Sequence, residues 1–226
     1  MYTLLIANKN YSSWSLRPWV LMQTLGLTFV ERLLPFGQAV DGQTIASLSP
    51  SGRVPVLEHQ GLKVWDSLAI VEYLAERHPQ VWPAEPAARA FARCAAAEMH
   101  SGFAALRNVC SMNCGARVRL HEVSAGLQAD LTRLEQLWQQ GLSDFGGPWL
   151  AGSSFTAVDA FFAPVAFRAQ SYGLSFGSAS TAYLQRLLDL PAMQQWYAEG
   201  LAEPWRDTAH EQDIAASGLI TADLRQ

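Results

Sequence analysis

Charge is scarce in this chain: only 16% of its 226 residues are charged and the formal net charge is -4. An ordinary globular domain carries roughly 25% charged residues. No run of Lys or Arg occurs, and phosphate neutralisation needs clustered cations, so the composition excludes a nucleic-acid binder. Long apolar runs are also missing. None approaches the roughly 20 residues that span a bilayer, and the opening MYTLLIANK has an apolar core too short for a secretory signal. The three cysteines, Cys94, Cys110 and Cys114, are an odd number in a large chain and give no disulfide framework. The cytosol is therefore the expected compartment. Cys110 and Cys114 are four apart and could share a helix face, yet no His or third thiol sits at ligand spacing; free thiols are expected there, and no metal. Apolar residues are plentiful instead. Half the chain is hydrophobic, with eight Trp and ten Phe, which excludes a disordered chain and suffices for a sizeable core. Low charge with so much apolar surface points to an oligomer interface.

The first third reads as mixed α/β. Tyr2 to Ala7 and Thr28 to Leu34 have strand length and composition, and between them Leu16 to Leu25 carries a helical apolar stripe that stops at Gly26. A β-helix-β unit of this size implies parallel pairing. Val54 to His59 and Leu62 to Trp65, separated by Gln60-Gly61, read as a hairpin. A helix, DSLAIVEYLAERH, follows with Leu68, Val71, Leu74 and Ala75 on one face. The order is that of a small thioredoxin-like layer. Pro79, Pro83 and Pro86 then make a stiff connector. Beyond it strand signals vanish, and Ala87 to about Cys110, Val123 to about Gln140, Thr156 to about Gln170 and Thr181 to about Gly200 are helical, with an interruption at Pro191. Thr156 as N-cap and Asp159 at N3 make a capping box. The expected division is 1–80, a linker 81–86, and an all-α 87–226.

Phosphate-loop, dinucleotide, zinc-protease and nucleophile-elbow motifs are all absent, and five scattered histidines form no evident triad. The positive signal is Asn10-Tyr11-Ser12-Ser13-Trp14-Ser15-Leu16-Arg17, between the first strand and the first helix. Such a junction aims unpaired N–H groups and the positive dipole end at an anion, and a hydroxyl there can donate to it. The same serines could serve only as helix caps. A second signal is Arg53-Val54-Pro55-Val56, a proline where the third strand begins; in a thioredoxin-like layer this is the cis-proline position, beside which Val54 offers backbone groups to a peptide-like ligand. The third is Asp66-Ser67 at the head of the next helix, another anion seat with a carboxylate for an ammonium group. Here too an N-cap is the simpler role.

Together, and in this order over essentially the whole chain, these elements resemble the cytosolic glutathione transferases of the serine type. SSWSLR is similar to the zeta pattern SSCSWR and to tau members, and VPVL with WDSLAIVEYLAERHP resembles the segment that binds the tripeptide. The resemblance implies a thioredoxin-like domain followed by an all-helical domain, glutathione as co-substrate, and a homodimer. It implies thiol activation by Ser12, with Ser13 as runner-up, and tripeptide binding by Arg53, Val54, Asp66 and Ser67. A free thiol has a pKa near 8.5, so about 3% is thiolate at pH 7; lowering that by two units requires about 2.7 kcal/mol, within reach of one charge-assisted hydrogen bond plus a helix dipole. The pocket for a small electrophile is expected between the domains, with Tyr11 and Trp14 on one side and Met99, Phe103, Arg107 and Met112 on the other, although Met99 and Phe103 suit core packing equally. Two further functions stay open: a zeta-like isomerase of diacids such as maleylacetoacetate, clamped by Arg107 and Arg117, and a non-catalytic glutathione-binding protein. Trp14 departs from the zeta Cys and crowds the pocket mouth. The first 93 residues contain no cysteine, which disfavours chemistry through an enzyme thiolate.

Overall fold

The computed structural model describes residues 1–225. β1 (Tyr2–Ile6) runs into a loop and then α1 (Ser13–Thr24), which ends before Gly26 at φ 66°, a left-handed position open to glycine. β2 (Phe29–Leu33), a four-residue helix α2 (Ile45–Leu48), β3 (Val56–His59), β4 (Leu62–Trp65) and α3 (Ser67–Ala75) complete the first layer. The sheet order is β2-β1-β3-β4. β1 pairs in parallel with β2 and antiparallel with β3, bringing Tyr2 opposite Phe29 and Leu4 opposite Leu57. Gln60 and Gly61 both have positive φ, as a tight two-residue hairpin between β3 and β4 requires. This is the thioredoxin-like arrangement expected from the strand and helix order.

The helical part contains α4 (Pro86–Ser101), α5 (Ala104–Val109), α6 (Ala125–Asp144), α7 (Ala157–Tyr172), α8 (Ser178–Leu188), α9 (Pro191–Ala202) and α10 (Thr208–Ser217). Two features differ from the sequence reading. The single helix expected over 87–110 breaks between α4 and α5, where Phe103 adopts a left-handed φ of 54° and a Cβ at Gly102 would lie 2.8 Å from the Glu98 carbonyl oxygen. Strand structure also persists beyond the connector: β5 (Ala116–Leu120) pairs antiparallel with β6 (Gly218–Asp223). The alternation Ala-Arg-Val-Arg-Leu, with Ala116 and Val118 buried, carries that strand; at five residues with two arginines its signal is weak.

α1 and α7 lie at the centre. Leu16, Trp19, Val20, Leu21 and Met22 of α1 are fully buried, because α1 is covered by the sheet, by α3, and by α7 and α9 of the helical part. One apolar cluster therefore runs through both halves, from Leu4 and Ile6 to Trp138 and Trp196. Burial of α7 is almost complete from Ala157 onward, and in its first turn Asp159 Oδ2 accepts from the Thr156 N–H at 2.9 Å. Its Oδ1 accepts from the Leu150 N–H and the Tyr183 hydroxyl, each at 3.1 Å. The Asp arm of the expected capping box is present, and it also ties down α8 and the loop before α7.

Asp159→Ala leaves three buried donors without an acceptor, each worth about 1–3 kcal/mol. The expected loss is at least about 2 kcal/mol, read as a fall in the denaturation midpoint. Burial raises the Asp159 carboxyl from 3.8 to about 6. A folded-state pKa above the unfolded one gives stability that is full below the unfolded value and is lost as pH rises through the folded one. The deficit of the variant should therefore be largest near pH 4 and narrow above pH 6; a pH-independent deficit would contradict the burial argument.

Candidate functional site

The loop Asn8–Ser12 between β1 and α1 is held on one side by its own turn and on the other by the helical half. Ser12 N–H donates to the Asn8 carbonyl at 2.8 Å and Ser13 N–H to that of Tyr11 at 2.9 Å. From the helical half, Glu203 accepts the Lys9 N–H at 2.6 Å and the Asn10 N–H at 3.4 Å. The Trp196 indole donates to the Lys9 carbonyl at 2.7 Å, and Asn10 Nδ2 donates to Asn113 Oδ1 at 3.1 Å. The Lys9 ammonium, buried between Trp19 and Trp196, pairs with Glu31 at 2.8 Å and with Glu199. A Cβ at Gly200 would sit 3.2 Å from the Asn10 nitrogen, so α9 approaches this loop as closely as a glycine allows. Nothing in the local motif signals these partners, because Asn113, Trp196 and Glu203 lie more than 100 residues downstream.

Ser12 is the N-cap of α1 and makes no side-chain cap bond; its hydroxyl donates instead to Ser15 Oγ at 2.7 Å, which in turn accepts from the Ala7 N–H at 3.3 Å. Ser13 Oγ accepts from Arg168 Nη2 at 3.4 Å. The Val54–Pro55 peptide is cis, as the third-strand proline implied. Asp66 has φ 75° and ψ 135°, a costly backbone region for a residue with a side chain. Its Oδ1 accepts from the Leu68 N–H at 2.8 Å, and its Oδ2 faces His100 Nε2 at 3.4 Å. Burial lowers the His100 pKa, an effect opposed by Asp66 and reinforced by Arg17 and Arg107. Ser67 Oγ is buried and has no hydrogen-bond partner.

Two cavities meet at Trp14. One, of about 430 Å³, is lined by Trp14, Arg53, Val54, Pro55, Asp66, Ser67 and His100, among others. The larger, of about 910 Å³, opens on Tyr11, Ser12, Ser13 and Trp14, on Arg53 and Val54, and on Arg107, Met112 and Arg168 from the helical part. The structure thus brings together ten of the thirteen sequence-nominated residues. Met99 and Phe103 are two of the exceptions. They line neither cavity and belong to the core: Met99 lies on the buried face of α4 with Ala92, Ala95 and Ala96, and Phe103 packs inward at the left-handed turn that follows. Arg117 also lies elsewhere, donating to the Cys114 and Ala116 carbonyls and to the Tyr197 hydroxyl. Residues that the sequence reading missed are Phe36, Arg168 and His210. Phe36 and His210 stack, as do His210 and Tyr11. Cys110 and Cys114 are buried, and burial raises both thiols, Cys110 to about 12. Among the described residues no group of three or more His, Cys, Asp or Glu is arranged to hold a metal, and no helix is long and apolar enough to cross a membrane.

The chain's C-terminal segment closes one wall of the larger cavity. The Tyr11 hydroxyl donates to Glu211 Oε1 at 2.5 Å, and Arg225 pairs with Glu211, with Asp223 at 2.7 Å and with the Tyr11 oxygen at 3.0 Å. Burial and Glu211 push the Tyr11 phenol up to about 12. At neutral pH this tyrosine is a donor to Glu211, not a base.

Residues 11–77 match the family described as Glutathione S-transferase, N-terminal domain, and residues 116–199 match Glutathione S-transferase, C-terminal domain. A probable maleylacetoacetate isomerase of Caenorhabditis elegans is 29% identical over 161 residues, 66% of this chain and 71% of that protein. Among solved structures, a glutathione transferase homolog from Burkholderia with bound glutathione has a TM-score of 0.66 at 24% identity, covering 88% of this chain and 97% of that one. A theta class glutathione S-transferase from Xanthomonas axonopodis pv. citri with glutathione bound has a TM-score of 0.62 at 26% identity, with 87% and 96% covered.

Arg225→Ala should release α10 and β6 from Tyr11. Limited proteolysis is expected to cut residues 203–226 several-fold faster, with the rest of the chain still resistant, since charge-assisted bonds of about 1.5–3 kcal/mol are lost. Unchanged cleavage would show that the segment is held by packing alone.

Proposed function

The chain belongs to the glutathione S-transferase family, and on that premise we propose that it is an enzyme in which Ser12 favours the thiolate of glutathione for attack on a small electrophile. The observation that carries this reading is the pair Ser12–Ser15 at 2.7 Å on the first turn of α1, of which Ser12 opens on the larger cavity beside Val54 and the cis proline. In the S-x-x-S register Ser15 faces back into the helix, where the Ala7 N–H already supports its oxygen. A hydroxyl rotates at little cost. With Ser15 donating to Ser12, the Ser12 proton is released toward a sulfur at the mouth of the cavity. The unpaired N–H groups at the start of α1 add to the same preference for an anion.

The tripeptide is proposed to lie along Val54, with its backbone meeting that residue's N–H and C=O. The smaller cavity suits the γ-glutamyl end. Ser67 Oγ, buried without a partner, is a group that gains a hydrogen bond when a carboxylate arrives, and Asp66 Oδ2 is the acceptor for the ammonium group. Arg53, exposed on the rim that both cavities share, is able to follow the glycine carboxylate. The electrophile would occupy the larger cavity between Tyr11, Trp14 and Met112. Once bound, the thiolate forms a bond to the electrophilic carbon, and the displaced electron pair leaves with a leaving group or enters a conjugated system.

A second reading is a glutathione-dependent isomerase, supported by the relative named as a maleylacetoacetate isomerase. Arg107 is positioned for such a substrate; Arg117 is engaged with main-chain carbonyls outside the cavity. Isomerisation without net consumption of glutathione would select it over conjugation. A homodimer is proposed with either activity, and the exposed Leu62 and Trp65 of β4 are apolar surface suited to a partner. Sedimentation at micromolar concentration should show twice 24.8 kDa, and a monomer would refute the pairing.

The serine assignment is tested by pH–rate profiles. Ser12→Ala should lower turnover by about tenfold to a hundredfold and raise the kinetic pKa of bound glutathione, the loss of one charge-assisted hydrogen bond. Glutathione affinity should change little, and Ser15→Ala should do much less. If Ser13→Ala alone moves the profile, the register is displaced by one residue. If neither serine moves it, the serine-type mechanism is wrong.

A further inference from the structure

The larger cavity has a charge opposite to that of the chain. Acidic residues outnumber basic ones by 20 to 16 overall, yet the cavity is lined by Arg53, Arg107, Arg168 and His210 and by no Asp or Glu. Arg107 and Arg168 come from α5 and α7 of the helical wall, and His210 from α10, where its Nδ1 lies 2.7 Å from Asp207 Oδ1. Arg168, on α7, is 96% buried by its 4% exposure. Its Nε donates to the Cys110 carbonyl at 2.7 Å and its Nη2 to Ser13 Oγ at 3.4 Å, while Nη1 has no hydrogen-bond partner. Arg107, on α5, donates through Nη1 to the His100 carbonyl at 3.1 Å and lies 5.2 Å from the Trp14 ring centroid. Behind Trp14 the fully buried Arg17 stacks at 4.1 Å, and none of its guanidinium nitrogens has a partner. The nearby carboxylates offset this charge only in part: Asp66 acts on Arg17 and Asp130 on Arg107, and burial outweighs both. Asp66 caps α3 and faces His100, and Asp130 accepts from the Leu106 N–H at 2.9 Å.

We propose that Arg107 and Arg168 form a seat for a carboxylate carried by the electrophile, so that the second substrate is an anionic acceptor. Buried cations without a counter-charge are costly, and a carboxylate binds guanidinium groups through parallel charge-assisted bonds. Arg53 stands with Gly52 and Val54 on the tripeptide side, which leaves the α5 and α7 arginines to the second substrate. The contact from Arg168 to Ser13 sets the seat beside the start of α1, so the carboxylate lies close to the carbon that is attacked. Burial, together with Arg107, lowers the Arg168 pKa to about 10, a penalty that an arriving anion relieves.

The inference rests on the transferase reading and is tested separately from it. The first probe is a pair of acceptors differing in charge, 4-chloro-3,5-dinitrobenzoate and its primary amide. In both, the sulfur forms a bond to the ring carbon and chloride leaves with its electron pair; each enzymatic rate is divided by the uncatalysed one. The expected result is a preference for the acid of about tenfold or more in kcat/KM, collapsing toward unity in Arg107→Met and Arg168→Met and partly restored in Arg168→Lys. The second probe needs no turnover: quenching of tryptophan fluorescence by 3,5-dinitrobenzoate against 3,5-dinitrobenzamide, with the acid bound about tenfold tighter and the difference lost in Arg107→Met. Arg107 is only half-buried, which keeps the test open if the α7 variants misfold. Turnover of both acceptors without preference, or equal binding of the two unreactive probes, overturns the seat. Preferential binding of the acid with no turnover of either acceptor supports the seat and overturns the transferase reading. A variant that loses glutathione affinity instead of the acid preference assigns the arginines to the tripeptide and also overturns the proposal.

Discussion

Everything at the site depends on how one short loop is held. Asn8–Ser12 has to present Ser12 at the start of α1, and a bare loop has neither the hydrogen bonds nor the packing to do so. Glu203 supplies the missing constraint. Its carboxylate is buried, which raises its pKa, while the Lys9 and Asn10 N–H groups favour the ionised form. A buried acceptor with two main-chain donors fixes a backbone in a way that an exposed ion pair does not. Trp196 holds the next carbonyl, and Gly200 lets the helix come near enough for both. The loop that carries the motif is therefore shaped by residues from the far end of the chain.

That dependence explains what was legible in the sequence. Local signals are strong where one element decides its own fate: the Leu62–Trp65 strand, the Gln60-Gly61 turn and the cap at Asp66 all follow from a few adjacent residues. The serine motif and the third-strand proline are local as well. Partners at a distance leave no such trace. Arg168 sits on an apolar helix that reads as pure core, and only the fold reveals that its guanidinium reaches Ser13. The β5–β6 ribbon failed for another reason, since its strands are short and lie 98 residues apart at their nearest ends. Met99 and Phe103 show the converse limit: helical spacing left core and pocket equally open, and the packing of α4 and the turn after it put both in the core.

Trp14 makes sense in this light. The pattern that the chain resembles has a small residue there, but here the indole lies against both Arg17 and Arg107. A ring face attracts a guanidinium, and contact with both offsets part of the repulsion between two like charges in a poorly screened interior. The substitution therefore belongs with the arginines rather than with the serines. It also forms the partition at which the two cavities meet, so one side chain helps to define both.

The Glu203 contact limits how this architecture can be recombined. Thioredoxin-like and helical halves look like modules that could be exchanged between relatives by cutting at the proline-bearing connector. In this chain such a chimera would inherit Ser12 without its support unless the donor of the helical half also brought an acid, an indole and a glycine at the positions of Glu203, Trp196 and Gly200. The inheritable unit is the whole chain, and the connector is a seam in sequence only.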